Sequence, residues 1–237
     1  MRNTLTIAWK ETKTYFSSPT AYVVGAVFLA LEGYFFVQAV SVPFAEASVR
    51  GFISPATFIL VLLAPVLTMR LLAEEQKMGT LELLLTSPVK DWEVILGKYL
   101  ASLVIFVGTL SFTLYYVLLL FWFGDPDIGP MLSGYLGLIL YGGAALAVGL
   151  LASSLTPNQI VSAVLGFGVL LLLTVTDQAA QVVSGLGAVI LEKVSITAHF
   201  TDFARGIVDT GNVVYYVTVV FLLLFLTTRY VESRRWR

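Results

Sequence analysis

The sequence predicts an all-α integral membrane protein with six membrane-spanning helices. Of its 237 residues, 58% are hydrophobic and 12% are charged, with a mean hydropathy of +0.89. A soluble domain has about 25% charged residues. Six separate segments are apolar over about 20 residues, the length a helix needs to cross a hydrocarbon core of about 30 Å. Lys and Arg are concentrated between these segments on one side of the predicted membrane, as in multi-pass proteins.

Residues 1–18 are predicted to form a helix in the membrane interface. Helical spacing places a mostly apolar set on one side and the charged residues elsewhere. The members of that set are Leu5, Ala8, Trp9, Thr12, Tyr15 and Phe16. The alternative is a polar leader that contains a few aromatics. We expect no cleavable signal peptide, because no short apolar run is followed by a small-residue cleavage site.

The predicted spans are residues 21–42, 52–72, 100–123, 131–153, 160–176 and 213–228. The fourth and fifth are predicted to form a hairpin, because Pro157 and Asn158 mark a turn between them. The fourth span is also rich in glycine, which allows close approach of neighbouring helices. These glycines are Gly134, Gly137, Gly142, Gly143 and Gly149.

The distribution of basic residues predicts the orientation in the membrane. Eleven of the 14 Lys and Arg residues lie on the side of the two termini and of residues 74–98, whereas Arg50, Lys193 and Arg205 lie on the other side. Basic residues mark cytoplasmic loops, so both termini and residues 74–98 are expected in the cytoplasm. Residues 177–212 are then an outer connection. Phe200, Phe203 and Ile207 recur there at helical spacing and predict a helical cap.

Motifs for catalysis or nucleotide binding are absent from the sequence. It contains no phosphate-binding glycine-rich loop, no His-Glu-x-x-His zinc motif and no Gly-x-Ser-x-Gly motif. It has no cysteine, and its single histidine, His199, offers too few groups for a metal site. We therefore expect no enzyme activity and no catalytic, cofactor or metal site in this chain. The aromatic residues near the span ends are typical of interface anchors rather than of nucleic-acid binding.

Glu32 lies near the middle of the first span, where a charged group is costly and generally faces a bundle interior or a wet cavity. Two interpretations remain open at this point. Glu32 lines a translocation path, or it is a protonated or hydrogen-bonded side chain in a helix contact.

Residues 74–98 form the longest polar segment on the predicted cytoplasmic side. Leu81, Leu84 and Leu85 recur at helical spacing and predict a short amphipathic helix, with a turn at Gly79 before it. Ser87 and Pro88 predict the start of a second helix. The alternative is an interfacial helix without a partner, but the polar side of such helices is generally basic and this one is acidic.

Several motifs resemble those of type-2 ABC (ABC-2) exporter permeases, most closely the gliding-motility and copper-enzyme-maturation permeases. The main motif comprises Glu74-Glu75, Gly79-Thr80-Leu81-Glu82-Leu83-Leu84-Leu85-Thr86, Pro88-Val89 and Gly97-Lys98. Supporting motifs are Tyr15-Phe16-Ser17-Ser18-Pro19, Ser154-Leu155-Thr156-x-Asn158-Gln159 and His199-Phe200-x-x-Phe203-x-Arg205-Gly206. The resemblance covers nearly the whole chain.

The resemblance implies a coupling helix that contacts a separate ABC ATPase subunit. The residues carried over to this contact are Glu74, Glu75, Gly79, Thr80, Leu81, Glu82, Leu83 and Leu84. It also implies two ATPase copies carrying ATP and Mg, and a second permease subunit, identical or similar, in the plasma (inner) membrane of a prokaryote. No span residues identify a substrate.

One rival function is a mechanical energy transducer that transports no solute and drives an accessory protein on the outer face. Such a protein would dock near residues 177–209. An ion channel or ion-coupled transporter is a weaker alternative, because Glu32 is nearly alone among polar groups at mid-membrane.

Overall fold

The computed structural model describes residues 2–42, 48–80 and 89–234, and the regular elements within these ranges are helices. In chain order they are α1 (Arg2–Ser17), α2 (Pro19–Val40), α3 (Arg50–Thr68), α4 (Arg70–Lys77), α5 (Asp91–Phe112), α6 (Leu114–Phe123), α7 (Ile128–Leu155), α8 (Gln159–Val182), α9 (Leu186–Val194), α10 (Phe200–Arg205) and α11 (Thr210–Arg234).

The prediction of six spans is confirmed within these ranges. Six helical segments are long and apolar enough to cross a membrane: Pro19–Val40, Arg50–Lys77, Asp91–Phe123, Ile128–Leu155, Gln159–Val182 and Thr210–Ser233. The second segment consists of α3 and α4 and has 28 residues. A helix of that length measures about 42 Å, whereas the hydrocarbon core is about 30 Å thick. Helix α4 is therefore available to extend beyond the membrane.

Helix α7 is the centre of the bundle. In the most apolar stretch of α7, 78% of the residues are buried, whereas only 17% are buried in the corresponding stretches of α8 and α11. A side chain at Gly149 would collide with the Thr68 hydroxyl and approach the backbone of Pro65 to 3.2 Å, and one at Gly137 would meet Phe203 at 2.6 Å. The prediction that the glycines of this span allow close helix packing is thus confirmed.

The cap predicted for residues 177–212 is helical, although α8 extends to Val182 and α11 begins at Thr210. It is tied to the bundle by hydrogen bonds from Tyr216 Oη to the Ile196 carbonyl (2.7 Å) and from Ser133 Oγ to the Phe203 carbonyl (2.7 Å). Ile207 departs from the predicted face. It follows the end of α10 and is exposed, because the chain turns at Gly206, which has a φ of 96°.

The start of α5 also differs from prediction. Val89 and Lys90 are not helical, and α5 begins at Asp91 rather than at Pro88, with the Lys90 backbone N–H donating to the Glu93 carboxylate (3.3 Å). Acidic groups in the first turn favour a helix start there. The third span consequently begins well before residue 100, since Asp91, Glu93 and Lys98 interrupt the apolar pattern without interrupting the helix.

Helices α1 and α4, the start of α5 and the end of α7 meet at one end of the bundle, which we name the α4 end. The cap formed by α9 and α10 lies at the opposite end, where Arg50 donates to the carbonyls of Ala204 (3.0 Å) and Arg205 (3.3 Å).

Candidate functional site

A buried ion-pair cluster joins three helices at the α4 end. Lys98 Nζ on α5 lies 3.0 Å from Glu11 Oε1 on α1 and 2.8 Å from Glu75 Oε1 on α4. The Lys98 side chain is 2% exposed, and those of Glu11 and Glu75 are 14% and 23% exposed. A buried charge needs such partners, because its removal from water is otherwise costly. Lys98, Glu11 and Glu75 form what we call the Lys98 cluster.

Helix α1 packs closely on α5 around this cluster. A side chain at Gly97 would meet Ile7 at 2.8 Å and the Thr4 carbonyl at 3.0 Å, so the two helices approach each other at the residue next to Lys98. Asn3 Nδ2 also donates to Glu93 Oε2 (3.2 Å) at the start of α5. Glycine is required at this approach, and the packing brings Glu11 within reach of Lys98.

Ser153 holds α4 against the end of α7. The fully buried Ser153 Oγ accepts hydrogen bonds from the backbone N–H groups of Leu72 (3.1 Å) and Ala73 (3.0 Å) and donates to the Met69 carbonyl (3.0 Å). These groups lie at and just after the one-residue break between α3 and α4. Gln76 adds bonds to the carbonyls of Ser153 (3.3 Å) and Ser154 (2.7 Å). We name this set the Ser153 clamp.

Arg70 connects α4 to the start of α2. Its Nε lies 3.0 Å from Glu74 Oε2, and its Nη1 donates to Ser18 Oγ (2.6 Å) and Thr20 Oγ1 (2.9 Å). Ser18 is also the N-cap of α2. The connection between α1 and α2 is thus held to α4 by a charged side chain.

Tyr15 fixes α1 to the end of α3. Its hydroxyl donates to the Leu67 carbonyl (2.8 Å), and the side chain is buried. Burial, and secondarily the negative charge of Glu11, raises the pKa of Tyr15 well above its usual range. The hydroxyl therefore stays protonated and acts as a donor at any physiological pH.

We expect Tyr15→Phe to lower the free energy of unfolding by about 1 kcal/mol, because the buried Leu67 carbonyl loses this donor. Tyr22→Phe is the matched control: the Tyr22 hydroxyl also donates to a carbonyl, that of Phe16 (2.8 Å), but the side chain is 59% exposed. Its effect should stay within about 0.5 kcal/mol. Thermal unfolding of both purified variants measures the difference, and equal shifts would contradict a specific role for Tyr15.

The predicted contact residues fall partly in this site. Glu75 belongs to the Lys98 cluster, and Glu74 pairs with Arg70. Gly79 has a φ of 69°, which confirms the turn predicted after α4. Thr80 is exposed and its hydroxyl lies 3.4 Å from the Glu75 carbonyl. Leu81, Glu82, Leu83 and Leu84 lie outside the described residues, as do Leu85, Ser87 and Pro88.

Glu32 is 1% exposed within this single chain, and neither of its carboxylate oxygens has a hydrogen-bond partner among the described residues. Tyr116 packs beside this part of α2, since a Cβ at the adjacent Gly33 would lie 2.9 Å from the Tyr116 hydroxyl. The Tyr116 hydroxyl itself donates to the Leu29 carbonyl (3.0 Å). Glu32 thus lies in a helix contact with unused hydrogen-bonding capacity, and a translocation path along it stays a prediction.

His199, Phe200, Phe203 and Arg205, from the third supporting motif, lie on α10 or directly before it, at the end of the bundle opposite α4. The His199 ring stacks on Tyr215 at 3.8 Å between ring centres, and its Nδ1 lies 2.8 Å from the Ser195 carbonyl. Phe200 and Phe203 are buried, and Arg205 is exposed. Across the described ranges, no group of three or more His, Cys, Asp and Glu residues could hold a metal ion.

Sequence reasoning missed Glu11, Lys98 and Ser153 as site residues. It placed Leu5, Trp9 and Phe16 on the same side of α1 as Thr12 and Tyr15, but those three are 66%, 64% and 59% exposed. The buried side instead carries Thr4, Ile7, Ala8, Glu11, Thr12 and Tyr15. Two signals pointed to the missed pair. A lysine at the start of an apolar helix, such as Lys98, needs an acidic partner. Glu11 is one helical turn from Tyr15 and therefore lies on the same side of α1. The exposed side chains of Leu5, Trp9 and Phe16 suit a helix in the membrane interface, and this position of α1 stays a prediction.

Comparison with known families agrees with this architecture. A protein-family model described as "ABC-2 family transporter protein" matches residues 5–231 of this chain. The chain belongs to the ABC-2 family. It is therefore a transmembrane permease subunit of an ABC transporter and a multi-pass membrane protein.

The curated relatives match only a part of this ABC-2 permease. Two proteins named probable multidrug ABC transporter permease YbhR, from Escherichia coli strain K12 and from Escherichia coli O157:H7, are each 32% identical over 87 residues. That match covers 37% of this chain and 23% of the length of each relative.

Proposed function

We propose that this ABC-2 permease couples ATP hydrolysis by a separate ATPase subunit to export across the membrane, with residues 74–98 as the coupling segment. The supporting observation is that α4 is held to the helix bundle by the Lys98 cluster and the Ser153 clamp. A displacement applied at the end of α4 is therefore passed to α1, α5 and α7.

The break at Met69 suits such a lever. Helices α3 and α4 are nearly continuous, and Pro55 and Pro65 lie inside α3, where each removes a helical hydrogen bond. Three residues after Pro65, the Thr68 hydroxyl donates a hydrogen bond to the Ala64 carbonyl (2.9 Å). Coupling then requires two discrete packings of these helices, one of which the nucleotide-bound ATPase favours.

The partners follow from this proposal. An ABC ATPase is the kind of partner with which ABC-2 permeases work. We propose two copies of it, with ATP and Mg bound there and none in this chain, and a second permease subunit that is identical or similar. The α4 end then faces the cytoplasm together with both termini, in a prokaryotic inner membrane. A similarity to multidrug permeases extends over 87 residues and leaves the exported substrate open.

Leu84→Asp and Glu82→Lys test the coupling contact. We expect each to weaken co-purification with the ATPase by about tenfold or more, since one lost hot-spot contact corresponds to at least about 1.4 kcal/mol. ATP-driven export in liposomes should fall in parallel. Leu186→Asp, at a leucine that is 83% exposed in the cap, is the matched control and should retain the ATPase. Retained association in both coupling variants would refute the contact.

The mechanical alternative is favoured by one observation. Val182 at the end of α8 and Leu186 and Ile190 on α9 are 86%, 83% and 62% exposed, and an outer-face protein could cover these apolar side chains. Co-purification of such a protein, with ATP hydrolysis but no solute movement in liposomes, would support this function over export. The similarity to gliding-motility permeases stays a prediction.

A further inference from the structure

Two adjoining cavities at the α4 end share Ala21 and Leu67 in their linings and form one groove. The first lies between α1, the start of α2 and α4 and is lined by polar as well as apolar residues. The second continues from it between α2, α3, α5 and α7. We name the first the head cavity and the second the tail cavity.

The head cavity presents charges of both signs. Its lining includes Glu11, Ser18, Thr20, Arg70 and Glu74. Nε and Nη1 of Arg70 bind protein groups, whereas its Nη2 has no hydrogen-bond partner in the described part of the chain. The Arg70 side chain is 33% exposed and that of Glu74 is 43% exposed, so both remain accessible to a ligand. A guanidinium beside two hydroxyls suits a phosphate, and the carboxylates suit an ammonium group.

The tail cavity is apolar along its length. Its lining includes Val24, Gly25, Phe28, Leu60, Leu63 and Leu146. The hydroxyl of Thr109, which also lines it, donates to the Ile105 carbonyl of its own helix (2.9 Å). From Ala21 to Phe28 the helix rises about 10 Å, most of one leaflet of a core that is about 30 Å thick. The groove therefore has the polarity profile of a lipid that lies in one leaflet.

We propose that this groove binds one phospholipid with a zwitterionic, amine-bearing headgroup from the leaflet at the α4 end. The phosphate lies at Arg70, Ser18 and Thr20, the ammonium between Glu11 and Glu74, and one acyl chain in the tail cavity. The charges around the head cavity favour this class. The charged residues of its lining are Arg70, Glu11 and Glu74, so an anionic headgroup would bring a further negative charge beside two carboxylates.

Gly25 keeps the tail cavity open. A Cβ at this position would meet only the Thr109 side chain, at 3.6 Å, so a larger residue can be accommodated by filling the cavity rather than by displacing a helix. Gly108 on α5 is exposed, and a Cβ there would have no neighbour within 4 Å. The two glycines thus form a matched pair for substitution by leucine.

The test measures lipid binding to the full chain in detergent by native mass spectrometry, with dioleoyl phosphatidylethanolamine and dioleoyl phosphatidylglycerol as probes. We expect the wild type to retain phosphatidylethanolamine in preference to phosphatidylglycerol. Gly25→Leu should lower the retention of phosphatidylethanolamine about tenfold, which corresponds to the loss of burial of roughly two methylene groups of the acyl chain. Gly108→Leu should retain lipid like the wild type. Arg70→Gln should lower the retention of phosphatidylethanolamine, because the guanidinium placed at the phosphate is lost.

A second measurement uses a phosphatidylethanolamine with a photoreactive group in its acyl chain, incorporated in nanodiscs. Labelled peptides from residues 21–28 and 60–67 are expected. Equal retention by Gly25→Leu and the wild type would overturn the proposal, as would a preference for phosphatidylglycerol or cross-links from these residues to a second copy of the chain. These outcomes do not involve the ATPase, so they are independent of the proposed coupling function.

Discussion

Replacement of Lys98 by Met is expected to lower the free energy of unfolding by about 3 kcal/mol, and to abolish ATP-driven transport. The variant leaves Glu11 and Glu75 close together without their shared cation. Removing one partner of a buried ion pair generally costs about 3–5 kcal/mol, and the lower end applies because both carboxylates keep some exposure. Transport fails in this variant because α4 loses its connection to α1 and α5.

Two comparisons separate this effect from a general loss of charge. Arg229→Met breaks an ion pair to Glu232 (2.9 Å) whose side chains are 64% and 37% exposed, and should cost less than about 1 kcal/mol. The triple variant Lys98→Met, Glu11→Gln, Glu75→Gln removes the uncompensated charges and should recover most of the stability. Denaturant unfolding of the purified chains measures both, with ATP-driven transport as the functional readout.

Recovery of stability without recovery of transport in the triple variant would show that the charges themselves carry the coupling. A Lys98→Met chain as stable as the Arg229→Met chain would contradict the structural importance of the Lys98 cluster.

Elements that depend on local composition could be predicted from the sequence. The six spans follow from runs of apolar residues, and the turn after α4 follows from Gly79, whose φ of 69° few other residues tolerate. Glycines such as Gly149 predicted close packing for the fourth span, which forms the centre of the bundle. In each of these cases the physical cause lies within a few residues of its effect.

The site depends on partners that are distant in the sequence. Ser153 binds the backbone of Leu72 and Ala73, about 80 positions earlier, and serine near a helix end has many other roles. Lys98 and Glu11 are 87 positions apart. The spacing of residues in α1 correctly predicted a helix, but which of its faces is buried depends on Lys98. Apolar character alone therefore did not show which side of α1 packs against the bundle.

Ser153→Ala is expected to lower the free energy of unfolding by about 2 kcal/mol or more, because two buried N–H groups lose their acceptor at about 1–3 kcal/mol each. The N–H groups of Leu72 and Ala73 lie just after the break between α3 and α4, and both donate to Ser153 Oγ. Hydrogen exchange at these two amides should rise with the loss of stability, since the clamp protects them directly.

Ser154→Ala is the matched control at the next position. Its hydroxyl is equally buried but donates to the Leu151 carbonyl of its own helix (2.6 Å), an interaction that adds little to helix stability. We expect a loss below about 1 kcal/mol and unchanged exchange at Leu72 and Ala73. Equal effects of the two alanine variants would show that Ser153 does not hold α4.

The functional consequence of Ser153→Ala differs from that of Lys98→Met. The Lys98 cluster remains in place, so α4 still moves together with α1 and α5, but its displacement is no longer passed directly to α7. We therefore expect ATP hydrolysis by the assembled transporter to continue while transport per ATP falls. Under the proposed coupling, α7, the most buried of the six candidate spans, is the helix whose movement would be reduced. Loss of hydrolysis and transport in equal proportion would instead place Ser153 in the contact with the ATPase.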